Sequence, residues 1–148
     1  MKYQASGEKL LLTLWVGSMW FAGYVVAPVL FNMLDRMTAG NVAGQIFTIS
    51  SYIGLLAGGL LLISVLYHSP DNNRFGLRFR MLIFMLLIII IGQFILQPMM
   101  VDLKQSGLEK GGQSAIEFGR LHGISSILFL VNSLLGLALV LLGIRPSR

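Results

Sequence analysis

The chain has 148 residues, enough for one domain, of which 55% are hydrophobic and only 11% charged, with a mean hydropathy of +0.79. A water-soluble domain carries about 25% charge, so the charges here are too few to cover a solvated surface. Cysteine is absent, which excludes disulfides, zinc–thiolate sites, iron–sulfur clusters and cysteine nucleophiles. The formal net charge of +5 raises nucleic acid or anionic lipid as partners, and the placement of the charges decides between them.

Four apolar runs follow one another: Leu10–Phe31, Ile46–Tyr67, Met81–Val101 and Gly123–Gly143. Each is about 20 residues, which at about 1.5 Å per residue matches a hydrocarbon core of roughly 30 Å. None contains Asp, Glu, Lys, Arg or His, side chains that are costly at the centre of a span. Alternating short-strand patterns are missing, which disfavours a lipid-facing barrel. The first run is too long for a cleaved signal peptide, and Trp20-Phe21-Ala22-Gly23 puts bulky residues where a cleavage site needs small ones. It reads as an uncleaved signal-anchor. The expected fold is an all-α integral membrane four-helix bundle forming one domain over 1–148.

The connections set its orientation. One side holds Lys2, Lys9, Arg74, Arg78, Arg80, Arg145 and Arg148 against Glu8 and Asp71; the other holds Arg36, Lys104, Lys110 and Arg120 against Asp35, Asp102, Glu109 and Glu117. The net charge therefore sits entirely on the side bearing both termini, which the positive-inside rule makes cytoplasmic. These basic residues face anionic headgroups, so the high pI requires no nucleic acid. The predicted location is the bacterial cytoplasmic (inner) membrane, with the N and C termini inside. His68–Asn73 reads as a turn, and the Arg74–Arg80 segment begins the third helix as a basic, aromatic interfacial turn. Asp102–Gln113 is the most polar loop. Ser114 and Glu117 then have capping-box spacing, starting the fourth helix near Ser114 and giving spans at about 10–31, 46–67, 81–101 and 115–143. The second helix starts early too, near Thr38. No internal repeat is evident.

Within these spans, small residues mark close packing, which holds helices together in lipid. Ser50, Gly54 and Gly58 recur every four residues in the second helix, and Gly17 and Pro28 lie on the packing side of the first. This stripe is expected to pack within the chain, with homo-oligomerisation as the alternative. Polar residues collect in the extracytoplasmic halves: Tyr24, Tyr52, Gln93, Gln97, His122, Ser125, Ser126 and Asn132. On a helix, His122, Ser125 or Ser126, Phe129 and Asn132 follow at three- and four-residue steps and are expected to share a face. Two readings of this cluster stand. Such groups cross-link membrane helices, at about 0.6 kcal/mol each, while Pro28 and Pro98 bend helix ends and free carbonyls for them. Alternatively His122, Tyr24, Tyr52, Gln93, Gln97, Ser125 and Asn132 line a small pocket open to the outer face.

Three stretches, Leu14–Phe31, Ala39–Gly54 and Phe118–Asn132, resemble the domain of unknown function 4149 family, which includes transmembrane protein 205. The resemblance rests on Gly17, Pro28, Phe31, Phe47, Tyr52, His122, Ser125 and Asn132, and extends to the number and order of spans. It implies a small integral membrane protein and supplies no catalytic mechanism.

Chemistry narrows further by elimination. His68 and His122 fall at opposite membrane faces, which excludes bis-histidine haem ligation within one chain. Met33, Met37, Met99 and Met100 fall on the same face as His122, and thioethers with an imidazole suit Cu(I). His122, Met99, Met100 and Met33 are therefore the copper candidates, although no MxxM or HxxxM spacing gathers them in one flexible segment. Glu117 and Arg120 at i, i+3 make a surface ion pair, and no nucleophile or phosphate loop accompanies His122, so no enzyme is expected. The runs hold no carboxylate of the kind a proton-coupled exporter needs. The expected function is binding of a small hydrophobic or metal ligand in the extracytoplasmic half. The alternatives are a membrane scaffold or partner protein for envelope homeostasis, and an oligomeric passive transporter or copper-handling protein.

Overall fold

The computed structural model describes residues 2–68, 76–107 and 112–142, and among them every regular element is helical. In chain order these are α1 (Lys2–Phe21), a π-helical turn (Ala22–Val26), α2 (Ala27–Met33), α3 (Arg36–His68), α4 (Leu77–Ile91), a second π-helical turn (Gly92–Leu96), α5 (Gln97–Gln105) and α6 (Gln113–Leu142). They make four helical columns long and apolar enough to cross a membrane: Ala5–Met33, Arg36–Tyr67, Leu77–Gln105 and Gln113–Leu142. The all-α four-helix bundle expected from the sequence is the fold observed.

Each column overruns its apolar stretch, because the helical hydrogen-bond ladder does not end where hydrocarbon does. Asp35 starts α3 by accepting at Oδ1 from the amides of Met37 and Thr38, both at 3.0 Å, a carboxylate N-cap. Hydrogen bonds from Thr38 first, and from Met37, hold the Asp35 carboxyl below its ordinary value. The third column runs on to Gln105 and stops at Gly107, whose φ of +92° is the left-handed conformation that glycine adopts at helix ends. α6 begins at Gln113, one residue before the expected start, and Gln113 Nε2 donates to Glu117 Oε1 at 2.7 Å. The predicted turn at His68–Asn73, apart from the end of α3, falls outside the described residues, as do Arg74, Arg145, Arg148 and the middle of the polar loop.

The columns run up and down, so α1 begins and α6 ends at the same end of the bundle, here the terminal end. In that half all four columns pack in a ring: α1 against α3 and α6, and α4 against α3 and α6. Leu12, Trp15, Leu61, Leu82, Met85 and Leu139 fill the centre, each at most 2% exposed. Trp15 can sit there because Gly54 and Gly58 give it room. A Cβ at Gly54 would lie 2.5 Å from Trp15 Nε1, and one at Gly58 3.0 Å from Trp15 Cη2. In lipid such close packing, rather than hydrophobicity, is what holds helices together.

One expectation is corrected here. Glu8 is buried, at 7% exposure, and accepts a hydrogen bond from Ser64 Oγ. Because α1 starts at Lys2 instead of Leu10, Glu8 stands one turn before Leu12 and is carried into the bundle. A carboxylate therefore lies inside the helical assembly even though the apolar runs contain none.

Each hairpin carries a π turn just before a proline. Pro98 stands 70 residues after Pro28, and the second π turn follows the first at the same distance. Proline lacks an N–H and its ring clashes with the carbonyl four residues back, and a turn widened to i−5 hydrogen bonding precedes each one. Ala27 N–H bonds Ala22 O, and Gln97 N–H bonds Gly92 O. Small residues also let neighbouring columns approach elsewhere: Gly54 lies against Ile89, and Gly136 against Met19.

Candidate ligand groove

Beyond the π turns the ring opens into two pairs. α2 packs on α3, and α5 packs on α6, so the distal half consists of two leaves with a cleft between them. The floor of the cleft is aromatic. Phe129 of α6 meets Tyr24 at 5.8 Å and Phe47 at 5.3 Å between ring centroids, and Trp20 meets Tyr24 edge-on at 5.3 Å. Gly23 makes this possible, since a Cβ there would collide with the Phe129 ring. Below the floor, Trp20 Nε1 donates to Ser133 O at 3.2 Å, and Ser133 Oγ donates back to Phe129 O at 2.8 Å. Asn132 is 3% exposed. Its Nδ2 donates to Met19 Sδ at 3.6 Å, and its Oδ1 has no partner among the described residues.

On the side between α3 and α5 the cleft becomes an open groove of about 750 Å³. From α3 it takes Met37, Asn41, Gly44, Gln45, Thr48 and Ile49, which recur at helical spacing on one face. From α5 come Gln97, Val101, Lys104 and Gln105. Gly44 leaves the groove open beside Gln97, since an added Cβ would stand 3.3 Å from Gln97 Nε2. Lys104 crosses the rim. Its Nζ donates to Asn41 Oδ1 at 3.1 Å and to Gly40 O at 3.4 Å, and lies 5.6 Å from the Phe118 ring centroid. Apolar walls carrying a few convergent amides and one cation are the usual make-up of a small-molecule site.

The residues picked out from the sequence separate. Gln97 lines the groove and Gln93 is half-buried on the second π turn. Tyr24 stands on the aromatic floor, whereas Tyr52 faces outwards with its ring edge-on to Phe94 at 6.4 Å. Ser125 is half-buried, and Ser126 is exposed with its Oγ bonded to His122 O. His122 itself is exposed and stacked on Phe118, 6.0 Å between ring centroids and 8° between planes. It does not share the face of Asn132. Steps of three, four and three residues advance ten positions, which at about 100° each leaves Asn132 about 80° round the helix from His122. Of the methionines grouped with His122, Met33 and Met99 are exposed and Met100 is buried. Among the described residues no three of His, Asp and Glu gather around a common point. Of the packing residues, Gly54 and Gly58 are buried within the chain, Ser50 is half-buried and Pro28 is exposed. Gly17 is exposed too, and a Cβ there would meet nothing within 4 Å.

Missed from the sequence were Asn41, Gly44, Gln45, Thr48 and Lys104. Their signal was Gly40 and Gly44 at four-residue spacing, with Asn41, Gln45 and Thr48 alongside on the same helical face.

The fold and groove define a four-span α-helical integral membrane protein. The chain belongs to the family described as Domain of unknown function (DUF4149), whose model matches residues 10–109. It is 32% identical over 139 residues to an "Uncharacterized protein" of Aquifex aeolicus (strain VF5), covering 91% of this chain and 95% of that one. No solved structure matches it.

Proposed function

We propose that the chain is a binding protein of the bacterial cytoplasmic membrane, with both termini inside, that takes a small amphipathic ligand in the extracytoplasmic half of its bundle. The observation carrying this reading is the groove between α3 and α5, whose volume of about 750 Å³ falls within the usual range for ligand sites, roughly 300–1,000 Å³. Paired leaves beyond two proline-linked π turns hold the groove open, and the amides of Asn41, Gln45 and Gln97 supply its polar contacts. The scaffold alternative draws less support: Gly54 and Gly58, the stripe that a partner would need, are occupied by Trp15 of the same chain.

The test is ligand-induced thermal stabilisation of the purified protein across a panel of amphiphiles and metal ions, repeated with Gly44→Leu to fill the groove. Stabilisation by an amphiphile that Gly44→Leu removes is the expected result; no stabilisation of the wild type by any of them refutes the reading. Orientation has a separate test, a reporter fused after Arg148. An extracytoplasmic signal would turn the groove to the inner leaflet.

A further inference from the structure

We infer that the groove between α3 and α5 is a site for an anionic phospholipid, whose headgroup phosphate is held by Lys104 at the rim and whose acyl chain lies along Ile49 and Val101. The inference rests on the reading of the groove as a ligand site and names the occupant.

Depth is the first argument. α3 begins at Arg36 and α5 runs to Gln105, whereas the apolar stretches of these columns cover Ile46–Tyr67 and Met81–Val101. At about 1.5 Å per residue, Asn41 lies about 7 Å beyond the hydrocarbon boundary and Lys104 about 4 Å beyond it. Both are at headgroup level. Thr48, Ile49 and Val101 lie at the upper edge of the hydrocarbon. The groove's cation therefore stands at headgroup level, while its lining continues through Ile49 and Val101 to the Gln97 amide inside the apolar stretch, so a phospholipid of that leaflet would meet Lys104 with its headgroup and Ile49 and Val101 with the start of an acyl chain.

Charge is the second. Among the described residues the contacts of Lys104 are the Gly40 carbonyl, the Asn41 amide oxygen and the Phe118 ring. Those acceptors are neutral, so the ammonium is positioned across the rim with its charge uncompensated by any carboxylate in contact with it. A phosphate oxygen would replace the longer of its two hydrogen bonds, 3.4 Å to Gly40 O, with a charge-assisted one. Asn41 and Gln105 amides stand beside it to donate to the remaining oxygens. The same cation argues against a neutral hydrophobic ligand, which would cover an ammonium without a counter-charge.

The experiment is native mass spectrometry of the full chain in detergent, titrated with dioleoylphosphatidylglycerol and, separately, dioleoylphosphatidylcholine. Both lipids share acyl chains and the phosphate, but in phosphatidylcholine the trimethylammonium already compensates the charge that Lys104 would meet. One lysine near a charged headgroup gives about a fivefold preference, so the wild type should retain phosphatidylglycerol about fivefold better. Lys104→Gln should abolish the preference and Lys104→Arg keep it. Equal retention of the two lipids by the wild type, or a preference that survives Lys104→Gln, overturns the inference; the latter would reflect general attraction to a basic chain. Gly44→Leu separates the two levels. If it lowers retention of both lipids equally while no preference exists, the groove stands and the anionic headgroup falls. If it changes neither lipid's retention, the groove reading falls as well.

Discussion

Replacing Gly54 by alanine tests how this bundle is held together. The new methyl would stand 2.5 Å from Trp15 Nε1 and 2.8 Å from Ile89 Cδ1, where ordinary contact begins at 3.4 Å. Relief therefore requires the indole to move by about 0.9 Å. Trp15 is 1% exposed and cannot swing away into lipid. Overpacking of this kind costs about 1–3 kcal/mol. Alanine also gains about 1 kcal/mol over glycine from helix propensity, so the variant should be compared with Gly17→Ala, where a Cβ meets nothing within 4 Å. The propensity terms then cancel, and Gly54→Ala should be less stable than Gly17→Ala by about 1–3 kcal/mol. Denaturant titration in micelles, read by helical circular dichroism and tryptophan fluorescence, measures the difference. If the two variants unfold alike, the glycine does not seat Trp15. If Gly54→Ala dissolves an oligomer while unfolding like Gly17→Ala, the stripe belongs to an interface between chains.

Asn132 has a buried Oδ1 with no partner among the described residues, and an unsatisfied buried acceptor costs about 1–3 kcal/mol. Asn132→Leu should therefore be neutral or stabilising in the same unfolding assay; a clear loss of stability would mean that the amide oxygen is satisfied. Ser64→Ala removes a donor from the buried Glu8 carboxylate and should cost about 1–3 kcal/mol. In a double-mutant cycle the cost should shrink in a Glu8→Leu background, and an unchanged cost would show that the hydroxyl does not act through Glu8. The Asp35 carboxyl is held below its usual 3.8, so the charged form caps α3. Its contribution is complete above that pH and is lost as pH falls through the lower value in the folded chain. Amide exchange at Met37 and Thr38 should speed up in Asp35→Ala at neutral pH. Unchanged exchange there would rule out the cap.

Much of the fold was legible because the bilayer imposes it. Lipid offers backbone groups no partners, so apolar runs of about 20 residues become helices, and an even number of them returns the chain to its starting side. That Pro28 and Pro98 disturb the helical hydrogen-bond ladder was equally readable, since proline removes the same hydrogen bond wherever it stands. The π turns that precede them were not. The residues leading into the two prolines, GYVVAP and QFILQP, differ almost throughout, yet both segments widen to i−5 hydrogen bonding.

Which face of each helix points inwards was the larger gap. In water, polarity marks the outer face; in lipid both faces are apolar. Leu56 and Leu61 sit on the same helix, one 69% exposed and the other 1%, and nothing in their chemistry separates them. Spacing places His122 near the face of Asn132, yet His122 is exposed and Asn132 buried, while Glu8, which stands before the first apolar run with the charged connections, is buried. Sequence alone determined the class of protein, its four spans, its helical character and its charge asymmetry, because each follows from local transfer free energy and hydrogen bonding. The tertiary structure alone decided that Trp15 is the centre, that the distal leaves part, and that Lys104 reaches across a groove to Asn41. Those outcomes depend on how four surfaces of nearly equal hydrophobicity fit against one another, and shape, not polarity, settles that fit.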